Sequence, residues 1–276
     1  MNTSSRAELP IGIFDSGVGG LTVLKAVRAR LPREHLIYLG DTARLPYGTK
    51  GPETEVRYAV QAAGHLVERG IKLLVVACNT ASAAAMPALV REFAPLPVIG
   101  VVEAGAEAAV RGSKSGHIAV LATESTVQGG AYERAILARR PDARVYSQAC
   151  SLFVALAEEG WIQGPLVNSV VKEYLYPLLR EKKREGLDCL VLGCTHFPLL
   201  KDAIAHVAGN DMQLVDSGET VADAAAKLLA EGALMRASGE GDVRFLATDG
   251  PERFARVGSL FLGEAIDAAD VELVDL

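Results

Sequence analysis

The sequence predicts an α/β fold with two doubly wound lobes, mainly parallel sheets and an active-site cleft between the lobes. Three observations lead to this prediction. Short β-branched segments alternate with longer segments rich in Ala and Leu, the short segments are apolar throughout, and one cysteine-centred motif occurs twice. Strands that are apolar on both faces are typical of parallel sheets covered by helices. No low-complexity segment and no linker rich in Pro, Gly or Ser divides the chain.

Apolar β-branched runs indicate the strands, and longer amphipathic runs between them indicate the helices. The predicted strands are Ile11–Phe14, His35–Leu39, Leu73–Ala77, Val98–Val101, Ile118–Leu121, Val145–Gln148, Cys189–Leu192, Gln213–Val215 and Val243–Ala247, with a further short strand at Val271–Val274. The predicted helices include Leu21–Arg30, Glu53–Arg69, Thr126–Arg139, Leu166–Glu185 and Thr220–Glu231.

Composition excludes several classes of protein. The chain has 276 residues, 50% of them hydrophobic, and a formal net charge of -6. Such a chain buries enough apolar surface to fold, and its acidic balance argues against a broad basic face for nucleic acid. The sequence shows no CxxC pair and no signal peptide. The apolar segment 71–90 is interrupted by the polar residues Asn79 and Thr80 and by Pro87, which argues against a membrane-spanning helix there. We expect a soluble, reduced, cytoplasmic protein with no membrane partner.

The segment 11–20, IGIFDSGVGG, is a predicted strand followed by a glycine-rich turn. It does not fit a dinucleotide fingerprint, because position 22 is Thr, and no Lys-Ser/Thr pair follows as a Walker loop requires. The remaining interpretation is a turn whose N–H groups and Ser16 hydroxyl bind a small charged group, with Asp15 orienting an ammonium or a catalytic group. A plain turn capped by Asp15 stays open. The segment 40–48, GDTARLPYG, equally fits a pocket-lining loop or a surface turn.

The segments 75–82, VVACNTAS, and 191–198, VLGCTHFP, follow one plan: an apolar strand, a cysteine, hydrogen-bonding residues and a helix start. Ligands of α/β sheets bind at the carboxyl ends of the strands, so we expect Cys78 and Cys194 to face one cleft. A helix N-terminus favours the thiolate, which predicts a lowered thiol pKa. A zinc site at Cys194 and His196 is not supported, because the sequence has no second Cys/His pair at the spacing that would complete the ligand set.

Two matched thiols suit a reaction that needs a base and an acid on opposite faces of one carbon. Racemisation of an amino acid is such a reaction, whereas a Cys–His hydrolase would leave one thiol unexplained. A positioned base supplies only about 10²–10⁴-fold, so donors must also stabilise charge on the substrate carboxylate. The candidate donors are Ser16, Thr80, Thr195 and backbone N–H groups. No lysine lies in either motif to hold pyridoxal, so a mechanism without a cofactor is the simpler hypothesis.

Several motifs in order resemble the glutamate racemase family. They are DSGVGG at 15–20, GDTARLPYG at 40–48, ACNTAS at 77–82 and GCTHFPLL at 193–200, with LATESTVQGGAY at 121–132 and FLATDG at 245–250 extending the match over nearly the whole chain. The resemblance implies interconversion of L- and D-glutamate without a cofactor, supply of D-glutamate for peptidoglycan, and a homodimer.

The resemblance also implies two pseudo-symmetric lobes, residues 1–101 with 210–276 and residues 102–209. The implied catalytic residues are Cys78 and Cys194, assisted by Asp15 and His196. The implied substrate contacts are Asp15, Ser16, Tyr47, Gly48, Asn79, Thr80, Thr123, Thr126, Thr195 and His196. Asp41 and an acid of the Glu158-Glu159 pair are further candidates for assistance.

The chain departs from the family pattern at Ser151 and Ala155, where the family often has proline, and at Gly129, where it often has Ser. Because the first two changes alter the segment that carries Glu158, this residue is left out of the predicted catalytic set.

Cys150 and Cys189 are expected to be structural, as cysteines among apolar residues usually are. Three alternatives to a glutamate racemase stay open. The chain could be an aspartate racemase of the same superfamily, it could be an amino-acid sensor that binds without chemistry, or it could have a further non-enzymatic role, which nothing in the sequence supports or excludes.

Overall fold

Two parallel sheets form the framework of the protein. The structure, a computed structural model, describes residues 6–276, without the side chains of residues 181–185. The strands are β1 Ile11–Asp15, β2 Leu36–Gly40, β3 Leu73–Val76, β4 Val98–Gly100, β5 His117–Ala122, β6 Arg144–Ala149, β7 Cys189–Gly193, β8 Gln213–Asp216, β9 Val243–Ala247 and β10 Val271–Leu273. The first sheet has the order β10-β9-β2-β1-β3-β4 and the second β6-β5-β7-β8.

All strand pairs within the described part of the chain are parallel, which confirms the predicted α/β class. The helices are α1 Leu21–Arg30, α2 Pro52–Glu68, α3 Asn79–Glu92, α4 Val101–Gly112, α5 Glu124–Gly129, α6 Ala131–Arg139, α7 Ser151–Glu158, α8 Pro165–Glu185, α9 Lys201–Ala208, α10 Ser217–Glu231 and α11 Pro251–Leu262. No helix in these residues is both long and apolar enough to cross a membrane.

Alternating side chains of β1 explain why the first sheet is covered on both faces. Ile13 packs with Leu24 of α1 in one apolar cluster, whereas the next residue, Phe14, packs with Ala63 of α2 in another. In the second sheet, Val120 and Leu121 of β5 likewise belong to different clusters. Because both faces bury apolar side chains, each sheet is doubly wound.

Two details differ from the sequence prediction. The single helix predicted over 126–139 is two helices, α5 and α6, because Gly130 adopts a left-handed backbone (φ 61) and ends the first. The predicted boundary at residue 210 also falls too early for the sheets, since Gln213–Asp216 pairs with β7 of the second sheet. The chain returns to the first sheet's helices with α10, which packs on α1.

Candidate active site

Cys78 lies between the end of β3 and the start of α3, at the carboxyl edge of the first sheet. Its sulfur accepts a hydrogen bond from the Ala81 N–H at 3.4 Å and so caps α3, and its thiol contacts Ser16 Oγ at 3.4 Å. Only 4% of the residue is exposed. The helix N-terminus is therefore where the sequence predicts it.

The pKa of Cys78 is nevertheless shifted upward, which is opposite to the direction that the sequence predicts. Burial and, to a smaller extent, the nearby carboxyl of Asp15 raise the pKa of Cys78 to about 12, although the hydrogen bonds with Ser16 and the Ala81 N–H act to lower it. A thiolate loses its hydration when it is buried, and one N–H donor does not compensate for that loss. The unliganded site therefore keeps Cys78 protonated at neutral pH. Cys194 also acts to raise the pKa of Cys78, by less than burial and Asp15 do.

Cys194 follows β7, at the carboxyl edge of the second sheet, and begins a chain of charged groups. Its sulfur lies 3.8 Å from His196 Nδ1, and His196 Nε2 lies 3.1 Å from Glu158 Oε1. Arg253 Nη2 of α11 donates to the other Glu158 oxygen at 2.7 Å. These contacts order the imidazole from both sides.

The pKa of His196 is raised to about 10. Burial acts to lower it, but hydrogen bonds and charge interactions with Cys194 and Glu158 outweigh burial. Burial in turn acts to raise the pKa of Glu158, and the interactions with His196 and Arg253 lower it overall. His196 is therefore a cation at neutral pH, and it stabilises negative charge on the Cys194 sulfur.

Asp15 is the last residue of β1 and is fully buried, with one oxygen available for a ligand. Oδ2 accepts the Gly17 N–H at 3.0 Å, whereas Oδ1 has no hydrogen-bond partner among the residues that the structure describes. Burial raises the pKa of Asp15, although His196 and the N–H groups of the loop lower it. An unpaired buried carboxyl oxygen is unfavourable unless a donor from a ligand reaches it.

Glycines bring the two lobes into contact around these groups. A Cβ atom at Gly19 would lie 2.3 Å from Thr195 Oγ1 and 2.6 Å from the His196 ring, and one at Gly48 would lie 2.7 Å from the Thr123 Cβ. Beside the first contact, the Thr22 hydroxyl donates to the Thr195 carbonyl at 3.2 Å. Only residues without side chains fit at these two approaches.

A cluster of three threonines joins the lobes on the other side of the thiols. Thr80 Oγ1 lies 3.1 Å from the hydroxyl oxygen of Thr123 and 3.3 Å from that of Thr126. Next to Thr80 in sequence, the amide nitrogen of Asn79 is buried and has no partner within residues 6–276, while its oxygen accepts a hydrogen bond from Tyr132 at 2.6 Å. These groups provide donors and acceptors suited to a carboxylate.

Tyr47 is buried and donates its hydroxyl to Asp41, which also accepts bonds from Arg44 at 2.7 Å and from Thr248 at 3.0 Å. Burial raises the pKa of Tyr47, and its charge would also interact with Cys78. Asp41 thus holds Tyr47 at the edge of the site and does not itself contact a thiol through the hydrogen bonds described. Its predicted assistance to catalysis stays a prediction.

The structure brings the residues expected from the sequence into one connected region. Glu158 belongs there too, although the changes at Ser151 and Ala155 kept it out of the predicted set. Both residues lie within α7, and the helix still delivers Glu158 to His196 from its last turn. The acidic pair at the end of this segment is the sequence signal for it. Nothing in the sequence singles out Tyr132.

This arrangement is that of an α/β enzyme whose reactive side chains come from two parallel sheets. The family model for Asp/Glu/hydantoin racemases matches residues 21–225. A glutamate racemase of Geobacter metallireducens is 50% identical over 254 residues, 92% of each chain, and one of Syntrophus aciditrophicus is 45% identical over 98% of each. A crystal structure of the Francisella tularensis glutamate racemase in complex with D-glutamate matches with a TM-score of 0.89 at 37% identity, covering 98% of each chain. The chain belongs to the Asp/Glu/hydantoin racemase family.

Proposed function

We propose that this chain interconverts L- and D-glutamate without a cofactor, using Cys78 and Cys194 as its two bases, and supplies D-glutamate for peptidoglycan. The observation that carries the proposal is the pair of buried thiols, each of which directly follows, or nearly follows, a strand of a different sheet, at its carboxyl edge. Glutamate is favoured over aspartate because curated relatives from 44% to 50% identical over nearly the whole chain are glutamate racemases.

The proton balance of the reaction needs only the two thiols. One thiolate accepts the α-hydrogen as a proton, and the electron pair of the broken C–H bond passes into the substrate carboxylate. The opposite thiol then donates its proton to the other face of the same carbon and becomes the thiolate. Each turnover leaves the two sulfurs in exchanged protonation states, and the reverse reaction restores them.

The unliganded protein starts with different roles for the two thiols. With a pKa of about 12, Cys78 holds its proton at pH 7 and begins as the acid. In this proposal Cys194, whose sulfur lies 3.8 Å from the ring of the His196 cation, begins as the base. The enantiomer whose α-hydrogen faces Cys194 is deprotonated there, and the opposite enantiomer reacts in the exchanged protonation state.

Asp15 fits the role of receiving the substrate ammonium. Its unpaired Oδ1 is an acceptor, and an ammonium held there would offset the negative field that Asp15 exerts on Cys78. A thiolate at Cys78 then becomes less costly once substrate is bound. The charge interaction of Asp15 with His196 supports its position between the two halves.

In this proposal the remaining predicted substrate contacts fall into two groups, which bind different parts of the substrate. Asn79, Thr80, Thr123 and Thr126 supply donors for a substrate carboxylate, and Ser16, Thr195 and the glycine-rich loop supply donors on the thiol side. We also propose the division into two lobes, with β8 assigned to the second lobe. The homodimer and the cytoplasmic location that the sequence leads us to expect are likewise proposals.

The experiment is exchange of the α-proton in D₂O. Purified protein is incubated with L-glutamate or, in parallel, L-aspartate, and circular dichroism and NMR follow optical rotation and α-deuterium. We expect both signals to change with glutamate and neither with aspartate. Faster turnover of aspartate would identify an aspartate racemase. Thermal stabilisation by glutamate without deuterium uptake between pH 7 and 9 would indicate a sensor and contradict catalysis.

A further inference from the structure

Tyr132 of α6 contacts both cysteine-bearing segments. Its hydroxyl donates to Oδ1 of Asn79 at 2.6 Å, and Asn79 directly follows Cys78. Its ring packs against Gly193, which directly precedes Cys194, so closely that a Cβ atom at Gly193 would lie 3.1 Å from the ring. Only 2% of Tyr132 is exposed. One rigid side chain of the second lobe thus spans the distance between the two thiol motifs.

Two glycines make room for this ring. A Cβ atom at Gly105 of α4 would lie 3.2 Å from both Cε1 and the hydroxyl oxygen of Tyr132, and Gly193 bounds the opposite edge of the ring. A methyl group at either glycine would lie closer to the ring than van der Waals contact allows, so the ring would have to move. The ring is therefore held from two sides, and its hydroxyl has little freedom to move away from Asn79.

The hydrogen bond fixes the direction of the Asn79 amide. Because Oδ1 accepts the Tyr132 hydroxyl, the amide nitrogen must point the other way, and this buried Nδ2 has no acceptor in the described part of the protein. A buried N–H without an acceptor is unfavourable and is an open donor for a ligand. Burial also raises the pKa of Tyr132, so the hydroxyl stays protonated and remains a donor.

We propose that Tyr132 is a positioning residue for the racemase: it holds the Asn79 amide with its nitrogen toward a substrate carboxylate, and it packs beside Cys194 so that both halves meet the substrate together. The proposal rests on the proposed function. It adds a residue of the second lobe that organises a substrate contact of the first.

The test is Tyr132→Phe, which keeps the ring and removes the hydroxyl. Without this bond the amide can rotate and present its oxygen to the carboxylate, so KM for glutamate should rise about tenfold, the loss of one hydrogen bond to a charged group. The value of kcat should change less, because a contact made equally in ground and transition states affects KM. Tyr174→Phe is the matched control: Tyr174 accepts the Leu152 N–H at 3.2 Å in the same lobe, and KM should not change.

A double-mutant cycle separates positioning from general destabilisation. In the Asn79→Ala background, Tyr132→Phe should reduce kcat/KM by less than about twofold, because the amide it orients is gone. If Tyr132→Phe does not fold, Gly105→Ala provides the second variant, since it displaces the ring while the hydroxyl remains, and KM should again rise.

The outcomes distinguish this proposal from the proposed function. An active wild-type chain whose Tyr132→Phe variant has unchanged KM, or effects of Tyr132→Phe and Asn79→Ala that multiply, would overturn the positioning role alone. A wild-type chain that exchanges no α-proton of glutamate would overturn the proposed function and the positioning role with it.

Discussion

The two thiol sites follow the same sequence plan but have opposite electrostatic surroundings. Cys78 has neutral hydrogen-bond partners, Ser16 Oγ and the Ala81 N–H, with the Asp15 carboxyl nearby, and burial is the main reason that its pKa is about 12. Cys194 instead lies beside the cation of His196. Matching motifs therefore do not give matching chemistry.

The difference supplies what a two-base reaction needs before substrate arrives. If both sites resembled that of Cys78, both sulfurs would be protonated, and no base would be available. If both lay beside a cation, as Cys194 does, neither site would favour the protonated sulfur that the reaction needs as its acid. The two different surroundings avoid both problems. We therefore expect lower racemase activity from three kinds of change: those that remove one thiol site, those that separate the two sites, and those that make the two sites alike.

Removal of either thiol should have the largest effect. We expect Cys78→Ala and Cys194→Ala each to lower racemisation by at least about 10³-fold, because each deletes one of two required proton carriers. Elimination from a glutamate analogue with a good leaving group needs only one base, so it should survive in Cys78→Ala. Cys189→Ala, which removes a buried thiol of the core, is the control and should stay active. Full racemisation by either single variant would refute the two-base assignment.

Gly19→Ala should prevent the two halves from meeting. The added methyl would lie 2.3 Å from Thr195 Oγ1 and 2.6 Å from the His196 ring. A displacement of about 1 Å near reacting groups costs on the order of 10²-fold, and we expect that loss in kcat/KM. Gly129→Ala is the matched control, because a methyl group there would have no described neighbour within 4 Å. It should keep full activity and gain up to about 1 kcal/mol in unfolding free energy. Equal activity of both variants would show that the lobes need not approach at Gly19.

Glu158→Gln should make the Cys194 site more like that of Cys78. Glu158 helps to raise the pKa of His196 to about 10, so without its negative charge the imidazolium is lost at lower pH. The alkaline limb of the kcat/KM profile should move toward neutral pH by about one unit, with a loss of about twofold at pH 9 that rises to about fivefold at pH 10. His196→Gln should show no such titration. An unshifted alkaline limb in Glu158→Gln would show that this carboxylate does not control the imidazole.

Arg253→Gln should have the smallest effect. Arg253 lowers the pKa of Glu158, but its side chain is 47% exposed, so solvent screens the pair. We expect a two- to threefold loss in kcat/KM, a change below about 1 kcal/mol in stability, and recovery in Arg253→Lys. Activity and urea unfolding at two salt concentrations measure this. A loss as large as that of Glu158→Gln would mean that Arg253 is essential to the charged chain.

The sequence by itself determined the α/β class, the order of the strands along the chain and the two cysteine motifs at strand ends. These are local properties: apolar runs bury on both faces, and polar residues after a strand lie at its carboxyl edge. Only the tertiary structure decided the electrostatics, because the charges that set them come from distant segments. Asp15 comes from the strand beside β3, Glu158 contacts His196, and Arg253 binds Glu158 from a helix near the end of the chain. Burial reverses the pKa shift that the helix position of Cys78 predicts. The role of Tyr132 is equally invisible in the sequence, since its partners Asn79 and Gly193 meet only when the sheets face each other.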